Sequence, residues 1–128
     1  MEYSFNKKME CTFDEAIERT TNELKKEGFG VLTEIDVQAT LKKKIDVDFR
    51  KYRILGACNP SFAYKAFLAE PRIGLMLPCN VIVQEYDDGT VEVAAIDPIA
   101  SMTAVENENL GEVADEVRGM LKKVIEAL

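Results

Sequence analysis

The dipeptide Asp88-Gly89 lies between two runs rich in valine and isoleucine, and it restricts the fold more than any other feature. The two runs cover residues 77–86 and 90–96. An Asp-Gly pair between apolar runs is typical of a two-residue β-hairpin turn. We therefore expect two antiparallel strands here. A purely parallel, doubly wound sheet is excluded, because its strands need long crossover connections.

Strand-like and helix-like patterns alternate upstream of this hairpin. Residues 3–9 alternate between larger and polar side chains, which predicts a half-buried strand. Thr12 is followed three residues later by Glu15, the pattern of a capping box at a helix start. Gly28 is placed to end this helix in a left-handed conformation, and residues 31–35 predict a second strand.

The middle of the chain repeats this alternation. Asp36 is predicted to cap a short helix. Residues 52–58 predict a third strand, after which Asn59 at the cap and Pro60 at the first helical position open a helix that ends near residue 69.

The last predicted helix has Asn109 as its cap and Glu112 three residues later. The resulting order is βαβαβαββα, and we predict an α+β fold with a single curved, mainly antiparallel sheet. Each helix has one apolar stripe, so the helices are expected to pack on one face of the sheet. The other face is then left for solvent, a ligand or a second subunit of a homodimer.

Composition and charge restrict the class of protein. A length of 128 residues with 47% apolar and 30% charged residues predicts one folded domain over residues 1–128. The net charge of −7 argues against a nucleic-acid partner. The most apolar stretch, residues 73–83, is too short for a membrane span, and the N-terminus lacks a secretory pattern. We therefore expect no membrane partner and a cytoplasmic location.

The chain has no histidine, which removes several mechanisms at once. Ser-His-Asp and Cys-His catalysis and imidazole ligation of a metal are excluded within one chain. Three cysteines cannot supply a four-thiolate zinc site, so no metal site is predicted, and we expect these cysteines to be reduced. No cofactor is identified. Acid-base chemistry would fall to Asp, Glu, Lys, Tyr or Cys.

Three segments carry a resemblance to a known family. They are EGFGVLTEIDV at residues 27–37, ILGACNP at residues 54–60 and LPCNV at residues 77–81. Together they resemble the signature of the family named "domain of unknown function 302". The resemblance implies an arrangement like that of the TATA-binding protein, a curved sheet backed by helices, and often a dimer. It implies no established activity.

Two Cys-Asn pairs are the main candidate site: Cys58-Asn59 and Cys79-Asn80. The first pair ends a predicted strand and the second begins another, so the two pairs would meet at one sheet edge in a suitable register. A thiol before a helix start can have a lowered pKa. Burial explains each cysteine equally well, and capping explains Asn59. Neither burial nor capping explains Asn80, because asparagine is disfavoured in strands.

Three acidic residues at predicted strand ends are weaker candidates: Glu34, Asp36 and Asp97. They would join the Cys-Asn site as hydrogen-bond acceptors or as an acid-base pair. Capping accounts for Asp36, and turn formation before a proline accounts for Asp97.

Three classes of function follow from these residues. The first is a module that binds a small molecule or anion in a cleft near the Cys-Asn pairs. The second is thiol-redox chemistry or soft-metal binding by Cys58 and Cys79. The third is a structural or regulatory homodimeric interaction protein that uses the open sheet face or residues 98–105. The spacing of Ile99, Met102 and Val105 favours a helical turn packed inward over a partner site.

Overall fold

The sheet has five antiparallel strands, seen in a computed structural model that describes residues 2–128. The strands are β1 (Ser4–Met9), β2 (Gly30–Asp36), β3 (Tyr52–Cys58), β4 (Cys79–Glu85) and β5 (Val91–Ile96). Their order across the sheet is β1-β5-β4-β3-β2, and every neighbouring pair is antiparallel. The predicted α+β class is confirmed.

Five α-helices and one 3-10 turn connect the strands or follow them. They are α1 (Phe13–Lys26), α2 (Val37–Ile45), α3 (Pro60–Ala69), the 3-10 turn (Ile73–Met76), α4 (Pro98–Met102) and α5 (Glu108–Glu126). None of these helices is long and apolar enough to cross a bilayer, within the range 2–128.

Local signals set the ends of the first two helices as predicted. The hydroxyl of Thr12 accepts a hydrogen bond from the backbone N–H of Glu15 at 3.1 Å. Gly28 follows α1 with φ of 83°, a left-handed conformation that glycine adopts without strain. A carboxylate oxygen of Asp36 accepts from the N–H of Ala39 at 2.9 Å and so caps α2.

The hairpin between β4 and β5 differs from the prediction in its turn. The strands pair antiparallel as expected, but the N–H of Tyr86 donates to the carbonyl of Thr90 at 2.8 Å. Residues 87–89 join the strands, as the predicted strand bounds require, but they form a three-residue loop rather than a two-residue Asp88-Gly89 turn. Gly89 takes the left-handed position with φ of 88°, as three-residue hairpins usually require.

The start of the last helix was also predicted wrongly, by two residues. Asn107 caps α5, since its side-chain oxygen accepts from the N–H of Asn109 at 3.0 Å. The amide nitrogen of Asn107 donates to the carbonyl of Ala69 at 2.8 Å. This second bond ties the start of α5 to the end of α3, a tertiary contact that local capping rules do not include.

The main core lies between one face of the sheet and helices α1 and α5. Its strand residues alternate along β3, β4 and β5 and pack against the apolar stripes of both helices. The buried members are Met9, Phe13, Ala16, Leu24, Phe29, Leu55, Ala57, Cys79, Val81, Val83, Val91, Val93, Ala95, Val117, Leu121, Val124 and Ile125. Helices α1 and α5 thus pack on the same face of the sheet, as predicted.

A smaller cluster extends this core beyond the end of the sheet. It contains Ala66, Ile73 and Leu110, against which Met102 and Val105 pack. The predicted inward turn is therefore formed by two of its three apolar residues, because Ile99 remains 38% exposed.

The opposite face of the sheet, called the open face below, carries a continuous apolar row. Ile35 pairs with Ile54, Ile54 with Ile82, and Ile82 with Ala94 in the strand register. The row crosses four strands, and its side chains alternate with those of the buried core. The open face is therefore an apolar surface flanked by polar rows.

Candidate functional site

The sheet separates the two residues of the second Cys-Asn pair. Cys79 lies opposite Ala57 in the register, and both are buried beneath the helices. Asn80 lies opposite Gly56 and is exposed on the open face. Neighbouring residues of a strand point to opposite faces, so Cys79 and Asn80 cannot line one site.

The other three residues of the pairs do come together. Cys58, Asn59 and Cys79 line a small cavity between the sheet and helices α3, α4 and α5, called the helix-side cavity below. Its remaining walls are apolar: Phe29, Ala57, Phe62, Ala63, Ala66, Leu77, Pro78, Pro98, Met102, Val113, Ala114 and Val117. The space open to the centre of a water-sized sphere is ≈ 30 Å³. Ligand sites usually offer at least about 300 Å³, so this space is too small for a metabolite.

The two thiols of this cavity are weakly acidic. Burial raises the pKa of Cys58, whereas proximity to a helix start was interpreted as lowering it. Burial raises the pKa of Cys79 to about 11, and the nearby Cys58 adds to the effect. Both side chains are therefore neutral thiols at pH 7. The thiolate, rather than the thiol, is the form that attacks and binds metals.

Asn59 occupies the cap position of α3 but does not cap it. Its amide nitrogen donates to the carbonyl of Glu27 at 3.3 Å and lies 3.9 Å from the sulfur of Met120. The side chain therefore joins the start of α3 to the end of α1. Its role in the fold is a tertiary link rather than the local cap that was predicted.

The three acidic candidates are bound by arginines. Arg53 contacts Glu34 at 2.7 Å and Asp36 at 3.4 Å. Arg118 contacts Asp97 at 3.1 Å. None of the three acids lines the helix-side cavity. Within residues 2–128, no three Cys, Asp or Glu side chains are grouped so that they could hold a metal ion.

Asn80 lines a larger groove on the open face, called the open-face groove below. Its volume is ≈ 390 Å³, within the range of ligand sites. The lining residues are Tyr3, Ser4, Asn6, Tyr52, Asn80, Ile82, Gln84, Tyr86, Glu92, Ala94, Ala95 and Ile96. The sequence interpretation missed all of these except Asn80. The sequence indicates them only through alternation: along β1, β4 and β5 they lie between the residues that point into the core.

A hydrogen-bonded chain fixes one end of this groove. The amide of Gln84 donates to Oε1 of Glu92 at 3.2 Å, and the hydroxyl of Tyr86 donates to the same oxygen at 3.0 Å. Arg50 Nε donates to the side-chain oxygen of Gln84 at 3.0 Å. The guanidinium of Arg50 also lies over the ring of Phe49, 4.5 Å from its centroid. These contacts hold both Gln84 and Glu92 in single orientations.

Comparisons with known proteins agree with the motifs found in the sequence. The model of the family "Domain of unknown function DUF302" matches residues 5–128. The chain is similar to a solved structure, an uncharacterised conserved protein DUF302 from Bacillus stearothermophilus, with a TM-score of 0.90 and 28% sequence identity over 98% of each chain. A comparison with curated proteins gives no match. The family match covers nearly the whole chain, which therefore belongs to the DUF302 family.

Proposed function

We propose that this domain binds a small molecule in the open-face groove. The observation that carries the proposal is the combination of a ≈ 390 Å³ concave surface with both apolar and polar walls. Ile82, Ala94 and Ile96 offer an apolar floor, while Asn80 and Glu92 offer hydrogen-bonding groups. A few placed polar groups in a mostly apolar recess are typical of a ligand site.

Three observations favour the open-face groove over the helix-side cavity as a ligand site. It is more than ten times larger, it contains several polar side chains, and two of these, Gln84 and Glu92, are held by hydrogen bonds. A ligand that enters an oriented site loses less free energy to ordering of the protein. The proposed ligand site is therefore the open-face groove rather than the predicted cleft at the Cys-Asn pairs. Of the four residues in those pairs, only Asn80 lines the groove.

The experiment is a fragment screen monitored by NMR on the isotopically labelled chain. We expect amide shifts at Asn80, Ile82 and Ala94. Ala94→Phe fills the groove and should abolish these shifts. Ala63→Leu is the matched control, since it fills the helix-side cavity and should leave them unchanged. Shifts confined to residues of the helix-side cavity, or no shifts with any fragment at millimolar concentration, would contradict the proposal.

The thiol-redox and soft-metal hypothesis receives less support. Cys58 and Cys79 line one cavity, but the pKa of each thiol is raised and the walls are apolar. A reactive thiol usually lies in an electropositive environment that lowers its pKa. Treatment with a Cu(I) complex or a disulfide reagent under native conditions should leave both side chains unmodified over the time in which a free peptide thiol reacts fully.

Homodimer formation is the second candidate function, and the apolar row of the open face favours it. Ile35 and Ile54 continue the row beyond the groove, and Ile35 is 47% exposed. A second copy packed on the β2-β3 half of the sheet would cover them. Sedimentation equilibrium should give a dimer that Ile35→Arg dissociates. Leu75→Arg, at an 83% exposed apolar residue of the 3-10 turn, is the control and should leave the mass unchanged. A monomeric wild-type protein would exclude this candidate.

A further inference from the structure

The lining of the open-face groove contains one charged side chain. Its lining contains the carboxylate of Glu92 and no lysine or arginine. The rest of the lining is aromatic, amide, hydroxyl or aliphatic. An anionic ligand would therefore meet a carboxylate and find no cation within the groove itself.

One carboxylate oxygen of Glu92 accepts hydrogen bonds from the protein, and the other is free to accept one from a ligand. Oε1 accepts from both Gln84 and Tyr86, while Oε2 accepts no hydrogen bond from residues 2–128. Gln84 is in turn held by Arg50, so the carboxylate cannot turn freely. A fixed carboxylate with a vacant acceptor is a preorganised partner for a hydrogen-bond donor.

The nearest cations do not neutralise this carboxylate directly. Lys8 lies opposite Glu92 in the register of β1 and β5, but the two side chains form no ion pair. At the hairpin, hydrogen bonding to Thr90 lowers the pKa of Asp88, and the charge of Lys8 adds a smaller effect in the same direction. Arg50 is separated from Glu92 by Gln84. Its guanidinium lies over Phe49 and at the edge of the groove, 5.8 Å from the ring centroid of Tyr52 and 5.4 Å from that of Tyr86, but it forms no ion pair with Glu92. A charge in a partly enclosed groove without a contacting counter-ion favours a cationic ligand.

Aromatic rings line the same groove. Tyr3 and Tyr52 both contribute to its walls, and the faces of such rings attract ammonium and guanidinium groups. Arg50 already lies 5.8 Å from the ring centroid of Tyr52, so the ring of Tyr3 is the one left for a ligand cation. Burial raises the pKa of Tyr52, and the hydrogen bond to Glu92 raises the pKa of Tyr86. Both phenols are therefore uncharged at neutral pH, so Glu92 supplies the only formal charge of the lining.

From these observations we infer that the groove binds a small organic amine. Its ammonium group would donate to Oε2 of Glu92 and its apolar body would lie on Ile82, Ala94 and Ile96. This inference rests on the proposed function, because it specifies the ligand class of the same groove. Asn80 lies on the same face and can accept or donate a further hydrogen bond to a polar substituent of the amine.

Three compounds with one ring and different charges test the inference. Tyramine is a cation, 4-ethylphenol is neutral, and 4-hydroxyphenylacetate is an anion at pH 7. Each is titrated into the full labelled chain and followed by the amide signals of the groove. We expect tyramine to bind about tenfold more tightly than either of the other two, as the gain of one charge-assisted hydrogen bond would give.

Two variants identify the recognising group. Glu92→Gln keeps the shape and can still accept from Gln84 and Tyr86, and it should weaken tyramine binding about tenfold while changing binding of 4-ethylphenol less than about twofold. Lys8→Gln is the matched control, because Lys8 lies directly opposite Glu92 on β1. It should leave tyramine binding unchanged or strengthen it, because it removes a competing cation.

The outcomes separate this inference from the proposed function. Equal binding of the three compounds with shifts at Asn80 and Ile82 would overturn the amine inference and leave the groove as a binding site. Unchanged tyramine affinity in Glu92→Gln would do the same. No shift in the groove with any compound of this set or of the fragment screen would overturn both.

Discussion

The side-chain amide of Gln84 donates to Glu92 across directly opposite positions of β4 and β5, at 3.2 Å. Gln84 is only 6% exposed, so Arg50 and Glu92 replace water as its partners. Gln84→Met keeps the length of the side chain but removes both hydrogen bonds. We expect the free energy of unfolding in urea to fall by about 1–3 kcal/mol, because both partners lose a bond.

Asn80→Met is the control for this variant. Asn80 is on the same strand and the same face, but it is exposed and makes no side-chain hydrogen bond with residues 2–128. The free energy of unfolding should change by less than about 0.5 kcal/mol. Equal losses in the two variants would mean that the chain from Arg50 to Glu92 adds nothing to stability.

The raised pKa of Cys79 predicts a loss of stability in alkaline solution. The unfolded thiol ionises near pH 9, whereas the folded thiol keeps its proton until about pH 11. Between these values the folded state binds more protons, so stability falls as the pH rises. The two-unit difference corresponds to roughly 2–3 kcal/mol once the pH exceeds the folded pKa.

Cys79→Ala isolates this effect from other groups that titrate in the same range. The variant is expected to be less stable at pH 7, because a buried side chain becomes smaller. Its free energy of unfolding should nevertheless fall less steeply between pH 9 and pH 11 than that of the wild-type protein. Parallel pH profiles for the two proteins would contradict a raised pKa at Cys79.

Asn59→Asp distinguishes a tertiary link from a helix cap. The variant loses the donor to the carbonyl of Glu27 and places a carboxylate near that carbonyl. We expect a loss of about 1–2 kcal/mol in the free energy of unfolding. At an ordinary cap, aspartate is as good as asparagine and also favours the helix dipole.

Asp36→Asn provides the comparison at a residue that does cap its helix. This exchange should change stability by no more than about 0.5 kcal/mol, because both residues cap well. A stabilising effect of Asn59→Asp, or equal effects at both positions, would show that Asn59 acts on α3 as a cap.

Gly56→Ala is expected to destabilise the sheet. An added Cβ at Gly56 would collide with Oγ1 of Thr33 and lie 2.7 Å from Cγ of Pro78. The cost should be about 1–3 kcal/mol, as for other overpacked sites. The double variant with Thr33→Ala should recover part of it, since one of the two colliding groups is removed.

Gly119→Ala is the matched control for this substitution. Gly119 lies within α5, and an added Cβ there has no neighbour within 4 Å. Alanine should stabilise the helix by up to about 1 kcal/mol, because glycine loses more backbone entropy on folding. Thermal or urea unfolding measures both variants, and a stabilising Gly56→Ala would contradict the close contact with Thr33.

The sequence predicted those features that depend on a few neighbouring residues. Thr12 and Asp36 cap their helices, Gly28 takes a left-handed conformation, and the strands alternate as expected. The helix caps were predicted wrongly where the capping side chain hydrogen-bonds to a distant part of the chain. Asn107 caps α5 while it also binds Ala69, and Asn59 binds Glu27 instead of capping α3.

The candidate site shows the same division. Strand alternation alone implies that Cys79 and Asn80 face opposite ways, provided that the strand begins at Cys79. The other lining residues of the groove could not be read from the sequence, because Tyr3, Tyr52 and Glu92 join Asn80 in it only through the strand order β1-β5-β4-β3-β2. No local pattern encodes which strands become neighbours.

The sequence by itself determined the elements, the α+β class and the family, because capping, turn chemistry and periodicity act within a few residues. Tertiary structure alone decided the surroundings of the candidate residues. It placed the partly buried Cys58 and the buried Cys79 at a cavity of ≈ 30 Å³ and raised their pKa through desolvation. It also brought Asn80 and Glu92 into the lining of one groove on the open face, since strand register and burial depend on contacts between distant parts of the chain.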